Sequence, residues 1–186
     1  LRALPSTDYV VGFVGLSGDG RYLAITYTAG RMWRYDTVTG AMLRGDVGYD
    51  GQGPNAMRVW PQPTLAQGGT FLIFTITATN MVRGDTPNTQ DVFLHRFDTG
   101  QTELISQRNA GGFGNGDVVN PYTVQASEDG HYVVFASRAS NLVAGDTNGV
   151  ADVFVRDRWA GTTRRISTTS VGGQLPTATF SRAISA

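Results

Sequence analysis

The seven residues Asp146-Thr147-Asn148-Gly149-Val150-Ala151-Asp152 are the sharpest candidate in the chain for carrying chemistry. Oxygen-bearing side chains at the first, third and seventh positions, with a glycine that allows a tight turn between them, have a spacing that wraps a loop around calcium. On that reading Asp146, Asn148 and Asp152 are ligands, joined by a backbone carbonyl near Val150. An earlier stretch repeats the pattern less completely, with Asp85, Pro87 and Asp91 at the matching positions. Proline removes its middle ligand, and Asn88 or Thr89 would have to substitute, so this copy is expected to hold calcium more weakly. No bidentate Glu follows, and the twelfth residue from Asp146 is Asp157, on an expected strand. The same residues also suit a plain turn, in which Asn148-Gly149 supplies left-handed conformations and the aspartates accept backbone N–H bonds.

Other signals are weaker. His95 and His131 are the only histidines, they are far apart in sequence, and no group of carboxylates accompanies them. Gly15-Leu16-Ser17-Gly18-Asp19 resembles a nucleophile elbow until its last residue, where Asp replaces the required Gly, and a strand follows where a helix is needed. Gly112-Phe113-Gly114-Asn115-Gly116 has no phosphate-reading Lys. With no cysteine, disulfides and thiolate metal sites are excluded. The expectation is a protein that is not an enzyme.

The elements that would position these residues are strands. The chain has 24 Gly, two Glu and no Lys, so turn formers abound while the usual residues of exposed helix surfaces are missing. Short β-branched and aromatic runs bounded by Gly or Asp turns recur: Tyr9 to Leu16, Arg21 to Tyr27, Arg31 to Asp36 and Ala41 to Arg44, then a copy that opens at Pro63 and continues through Thr70 to Thr77, Asp91 to Phe97 and Gln101 to Ser106. A third set comprises Tyr122 to Ala126, His131 to Ser137, Ala151 to Asp157 and Thr162 to Ser167. The second and third sets match at a constant offset of 61 residues: Gly69 with Gly130, Asp85 with Asp146, Asp91 with Asp152, Phe93 with Phe154, Gly100 with Gly161 and Ser106 with Ser167. Four strands per repeated unit predict an all-β fold of propeller blades, over 9–47, 63–109 and 122–170, with partial-blade strands at 2–6 and 176–181. The glycine-rich stretches at 48–55, 110–117 and 171–174 read as links between blades.

The run SEDGHYVVFAS, followed by NLVAGDTNGVADVFVRD and GTTRRIS, resembles the WD40-like repeats, often called PD40, of the TolB-type propeller family. The match is close over Ser127 to Ser167, fair over Gln67 to Ser106 and weak over Ser17 to Arg44. The resemblance implies a propeller that is usually bacterial and extracytoplasmic, periplasmic or secreted, and that acts as a binding scaffold for a protein or glycan. Two alternatives stay open: the gating propeller of a larger hydrolase of the prolyl oligopeptidase type, and a calcium-stabilised structural or adhesive protein. Net charge is zero and all 15 basic residues are Arg, a bias that a GC-rich genome also produces, so no basic footprint argues for nucleic acid. The longest apolar run, Tyr9 to Leu16, is too short to span a bilayer. Opening on Leu1, the chain is expected to be a mature or excised piece. Three blades do not close a ring, so it is also expected to belong to a larger propeller or to associate with itself.

Overall fold

The computed structural model describes residues 10–27, 31–56, 63–85, 89–119 and 124–178. Within them the only regular elements are strands. Strands β1 (Val10–Leu16), β2 (Tyr22–Tyr27), β3 (Met32–Asp36) and β4 (Met42–Arg44) form one antiparallel meander. Strands β5 (Thr64–Leu65), β6 (Phe71–Ile76), β7 (Asp91–Arg96) and β8 (Thr102–Leu104) form the second. The third has β9 (Val118–Val119) and β10 (Gln125–Ala126) paired with β11 (Tyr132–Ser137), which pairs with β12 (Asp152–Asp157), which pairs with β13 (Thr162–Arg165). This is the expected architecture of propeller blades, and the sheets do not join into a closed ring.

The 61-residue offset is a structural repeat. Phe74 lies opposite Phe93, and Phe135 opposite Phe154, with ring centroids 5.9 and 5.8 Å apart. The hairpin glycines Gly69 and Gly130 take φ of +65° and +70°, a region that side chains with a Cβ avoid. One boundary differs from expectation. Val118 and Val119 pair with Ser137 and Ala136, so the third sheet begins in what reads in sequence as the approach to a blade, because those valines are the first β-branched pair after the glycine-rich link. The expected strand 2–6 lies outside the described residues; of 176–181 only 176–178 are described, with a bend at 176 and 177 and no strand.

Both faces of the second sheet are apolar, and they pack in alternation on its two neighbours. All six residues of β6 are buried. Leu72, Phe74 and Ile76 join Ala24 and Met32 of the first sheet, whereas Phe71 and Ile73 join Val133, Phe135 and Phe154 of the third. The outward faces of the first and third sheets carry separate clusters, Ile25-Tyr27-Tyr35 and Val134-Val153-Val155. These residues are not bare: Ile25 is 2 % exposed and Val153 4 %.

Polar clasps bind the rims of neighbouring blades. The Asn55 side chain accepts the Thr79 N–H and donates to its hydroxyl, while the Asn55 N–H donates to Asn80 Oδ1. Asn115 makes the same three bonds with Ser140 and Asn141. A second clasp lies on the outer strands. His95 Nδ1 bonds the Thr102 hydroxyl, which donates to the Val47 carbonyl; Arg156 donates to the Thr163 hydroxyl, which donates to the Gln107 carbonyl. With Thr102 donating onward, the His95 nitrogen facing it must carry the proton, so the neutral ring is already suited to the clasp.

Burial pushes the His95 pKa down to about 4 from 6.5. The unfolded chain takes up the imidazole proton below 6.5 and the folded chain only near 4, so the unfolded state binds more protons between these values. His95 is therefore expected to cost stability as pH falls through this window, by at most about 1.4 kcal/mol per pH unit, and to cost none above it. Urea unfolding of the wild type and His95→Gln at several pH values isolates this contribution, which the variant should lack.

Candidate functional site

The loop between β11 and β12 brings Asp146, Asn148 and Asp152 close to one another, and two residues that sequence reading did not single out complete the cluster. Asp152 opens β12 and is fully buried. Its Oδ1 accepts the Ser167 hydroxyl at 2.5 Å, and Ser167 Oγ in turn accepts the Val153 N–H at 3.0 Å. Asp91, Ser106 and Val92 make the same relay in the second blade, at 2.6 and 3.0 Å. Burial pushes the Asp91 carboxyl up, against the lowering bonds from Ser106 and Thr89. The first blade reaches a related end with its acid just past the fourth strand: Asp46 is fully buried and takes the Arg44 Nε–H at 2.7 Å. The aspartates of the second and third blades thus close the blade end, where a backbone N–H would otherwise be buried without an acceptor.

What distinguishes the third blade is Arg165, on β13. Its Nη1 lies 3.4 Å from Asp146 Oδ1 and 3.8 Å from Asp152 Oδ2, with only 11 % of the side chain exposed. The matching position in the second blade is Leu104. Burial raises the Asp146 pKa, the Asp152 charge raises it further, and Arg165 opposes both. Arg165 Nε and Nη1 are themselves buried and make no hydrogen bond, so the guanidinium is held there by charge.

The loop backbone is organised around Gln174, which stands on the glycine-rich link that follows. Gln174 Oε1 accepts the Thr147 and Asn148 N–H groups at 3.1 and 2.9 Å, and its amide donates to the Gly145 carbonyl and the Thr147 hydroxyl. Asn148 Nδ2 donates to Asp152 Oδ2 at 2.8 Å and to the Leu175 carbonyl at 3.0 Å, while Asn148 Oδ1 accepts the Val150 N–H. A calcium loop turns oxygens inward. Here two backbone N–H groups bond the Gln174 oxygen, the Asn148 amide N–H bonds Asp152, and a guanidinium faces both carboxylates. A cation entering between Asp146 and Asp152 would have to displace Arg165 and turn Asn148 over. Asp157 points elsewhere, its Oδ1 lying 2.9 Å from His131 Nε2. In the second blade Asp91 serves its relay, and Pro87 and Asn88 lie outside the described residues. Among the described residues no three His, Cys, Asp or Glu side chains gather as a metal site.

A second feature lies on the outer rim. A cleft of about 670 Å³ is lined by Tyr49 and the glycines of the first link, by Arg96, Gln101 and Glu103 of the second blade, and by Arg158 of the third. Arg158 is locked in place, donating to Glu103 through two nitrogens and to the Gly130 carbonyl through the third. Tyr49 is half-exposed and carries the Arg83 guanidinium over its ring at 4.9 Å. Three blades contribute to this wall, which explains why no single sequence stretch announces it.

Replacing Arg165 by Ala leaves Asp146 and Asp152 buried without their counter-charge. The expected cost is about 3–5 kcal/mol in denaturant unfolding at neutral pH. The raised Asp146 pKa sets the sign of the pH dependence: protonation favours the folded state, so the variant should regain stability as pH falls towards the carboxylate range. Calorimetric titration of calcium is expected to show no heat with the wild type, where the guanidinium already serves the carboxylates. Heat and stabilisation of the wild type would show that a cation displaces Arg165.

No protein-family model matches the chain, and no curated protein matches it. Solved structures do. TolB from Acinetobacter baumannii superposes with a TM-score of 0.53 at 17% identity, over 89% of this chain and 34% of that one. The tricorn protease gives 0.53 at 11% identity over 81% and 14%, and the AtxE2 isopeptidase 0.52 at 15% identity over 85% and 29%. The chain therefore spans about a third or less of the length of these structures. At such identities the likeness concerns fold alone, and it agrees with the blade architecture described above: the chain has a TolB-like β-propeller fold.

Proposed function

We propose that the chain is a non-catalytic propeller module, a binding or structural scaffold for a protein or glycan partner. The supporting observation is where its polar side chains are engaged. Asp46, Asp91 and Asp152 close blade ends, His95 clasps two blades, and Arg165 and Gln174 fill the loop that most resembles a site. The rim cleft is left open, with the half-exposed Tyr49 and the side chains of Gln101 and Glu103 on its walls. Rigid blades carrying exposed links are a common way to present a binding surface. Function does not follow from fold, so the proposal rests on these side chains.

The extracytoplasmic setting, periplasmic or secreted, rests on the resemblance of the repeats. No helix among the described residues is long and apolar enough to cross a membrane. Completion of the ring, by further blades or by copies of this chain, is also part of the proposal, supported by three sheets that do not close. The alternative, a gating propeller, would put the chemistry on a hydrolase domain outside these residues.

Two measurements test the proposal. The immobilised full chain is expected to retain a partner from a periplasmic extract, and the variant Tyr49→Ser/Gln101→Ala to lose it while keeping the wild-type circular dichroism and melting temperature. Retention unaffected by the variant would move the binding surface away from the cleft. Light scattering is expected to give a mass that is a multiple of 19.9 kDa, and a monomer would reject self-association.

A further inference from the structure

The turn joining β12 to β13 presents Trp159, at 70 % exposure the most exposed aromatic among the described residues. It does not hang free. The indole lies on the His131 imidazole with centroids 3.7 Å apart and planes 12° from parallel, and His131 lies on Tyr132 at 3.9 Å. His131 is fixed in its turn by Asp157 Oδ1, 2.9 Å from Nε2, and Asp157 Oδ1 also accepts the Ala160 N–H at 2.8 Å. One face of the indole is thus held from below while the residue as a whole remains open to solvent.

The fold does not require this stack. The same hairpin carries Val38 in the first blade and Asp98 in the second, and all three turns close on a glycine of positive φ, namely Gly40, Gly100 and Gly161. The His131–Asp157 pair stands where the first blade has the Arg21–Asp36 ion pair at 2.7 Å. A structural pairing of this kind therefore serves without a tryptophan above it. A large aromatic surface shown to water, rigid, and absent from the sister blades is the mark of a contact residue.

We propose that Trp159 is a stacking platform for a pyranose ring of an uncharged glycan. This rests on the scaffold reading above and names the class of partner and the residue that meets it. A flat indole already fixed in orientation can take the C–H face of an equatorially substituted sugar ring at little cost in side-chain entropy. Phosphate-bearing chains fit poorly. The net charge of the protein is zero, and two carboxylates belong to this turn region, Asp157 beneath the stack and Asp129 on the His131 N–H. A quaternary ammonium fits poorly as well, because aromatic cages surround the cation whereas Trp159 offers a single open face. Arg158, adjacent in sequence, lines the rim cleft with Glu103 and Gln101, so a polar wall able to bond sugar hydroxyls begins one residue from the platform.

Cellohexaose and hexa-N-acetylchitohexaose are suitable probes, since their β-linked rings present flat C–H faces and carry no charge. Titration of the full chain, followed by tryptophan fluorescence and by calorimetry, is expected to give a dissociation constant of about 0.1–1 mM. Trp159→Ala should abolish the signal with the circular dichroism unchanged, because the sister hairpins fold with Val38 and Asp98 at this position. Trp159→Phe should retain weaker binding, and His131→Ala should weaken it several-fold by releasing the indole. No binding of either hexasaccharide by the wild type, or binding that survives Trp159→Ala, would overturn the proposal, as would preferential binding of oligo-dT. If the sugars fail while a protein partner is still captured through Tyr49 and Gln101, the glycan platform is wrong and the scaffold reading stands.

Discussion

A sheet that is apolar on both faces is stable only between two other surfaces, and this constraint organises the molecule. Strand β6 is buried on every residue, so its even-numbered side chains need the first blade and its odd-numbered ones the third. Neither neighbour could be removed without exposing phenylalanines to water, at a cost of roughly 1.5–3 kcal/mol for each large side chain. The cross-strand pairs Phe74–Phe93 and Phe135–Phe154 fix register at the same point of successive blades. A slip of one residue would turn every side chain to the opposite face and break both interfaces.

Packing of this kind leaves polar groups at the blade ends and rims with no water to satisfy them. The molecule answers with a small set of repeated devices. Asp91 with Ser106, and Asp152 with Ser167, carry a carboxylate to a buried strand N–H through a hydroxyl. Asn55 and Asn115 tie each link to the next blade, and Thr102 and Thr163 do so on the outer strands. Part of the chemistry that stands out in the sequence is engaged in this way, including Asp152 of the carboxylate pair spaced as for calcium. The loop around Asp146 supplies its own positive charge from Arg165 and its own acceptor from Gln174.

Positions where the blades disagree are therefore more informative about function than positions where they agree. Agreement reports a shared packing need. His95 and Arg156 differ yet perform one clasp, a neutral imidazole in one blade and a guanidinium in the other, each bonding a threonine hydroxyl. Trp159 differs from Asp98 and Val38 without performing any task the hairpin shares, and it faces outward. A side chain free of the fold's demands is one that a partner can use.

The sequence alone determined the all-β class, the repeat of 61 residues and the positions of most strands, because short β-branched and aromatic runs and Asp-Gly or Thr-Gly turns are local signals. It also identified Asp146, Asn148 and Asp152 as neighbours, since a tight turn joins them. Tertiary structure decided what those residues face. Arg165 comes from the edge strand and Gln174 from beyond it, and strand pairing and link folding bring both to the loop across a distance in sequence that no local motif spans. Asp157, twelfth from Asp146, was turned away because strand alternation and its bond to His131 direct its carboxylate elsewhere. The rim cleft and the His131–Trp159 stack were equally invisible to a reading by motif. Each is assembled from separate turns or blades, and only the packing of apolar faces sets the distance between them.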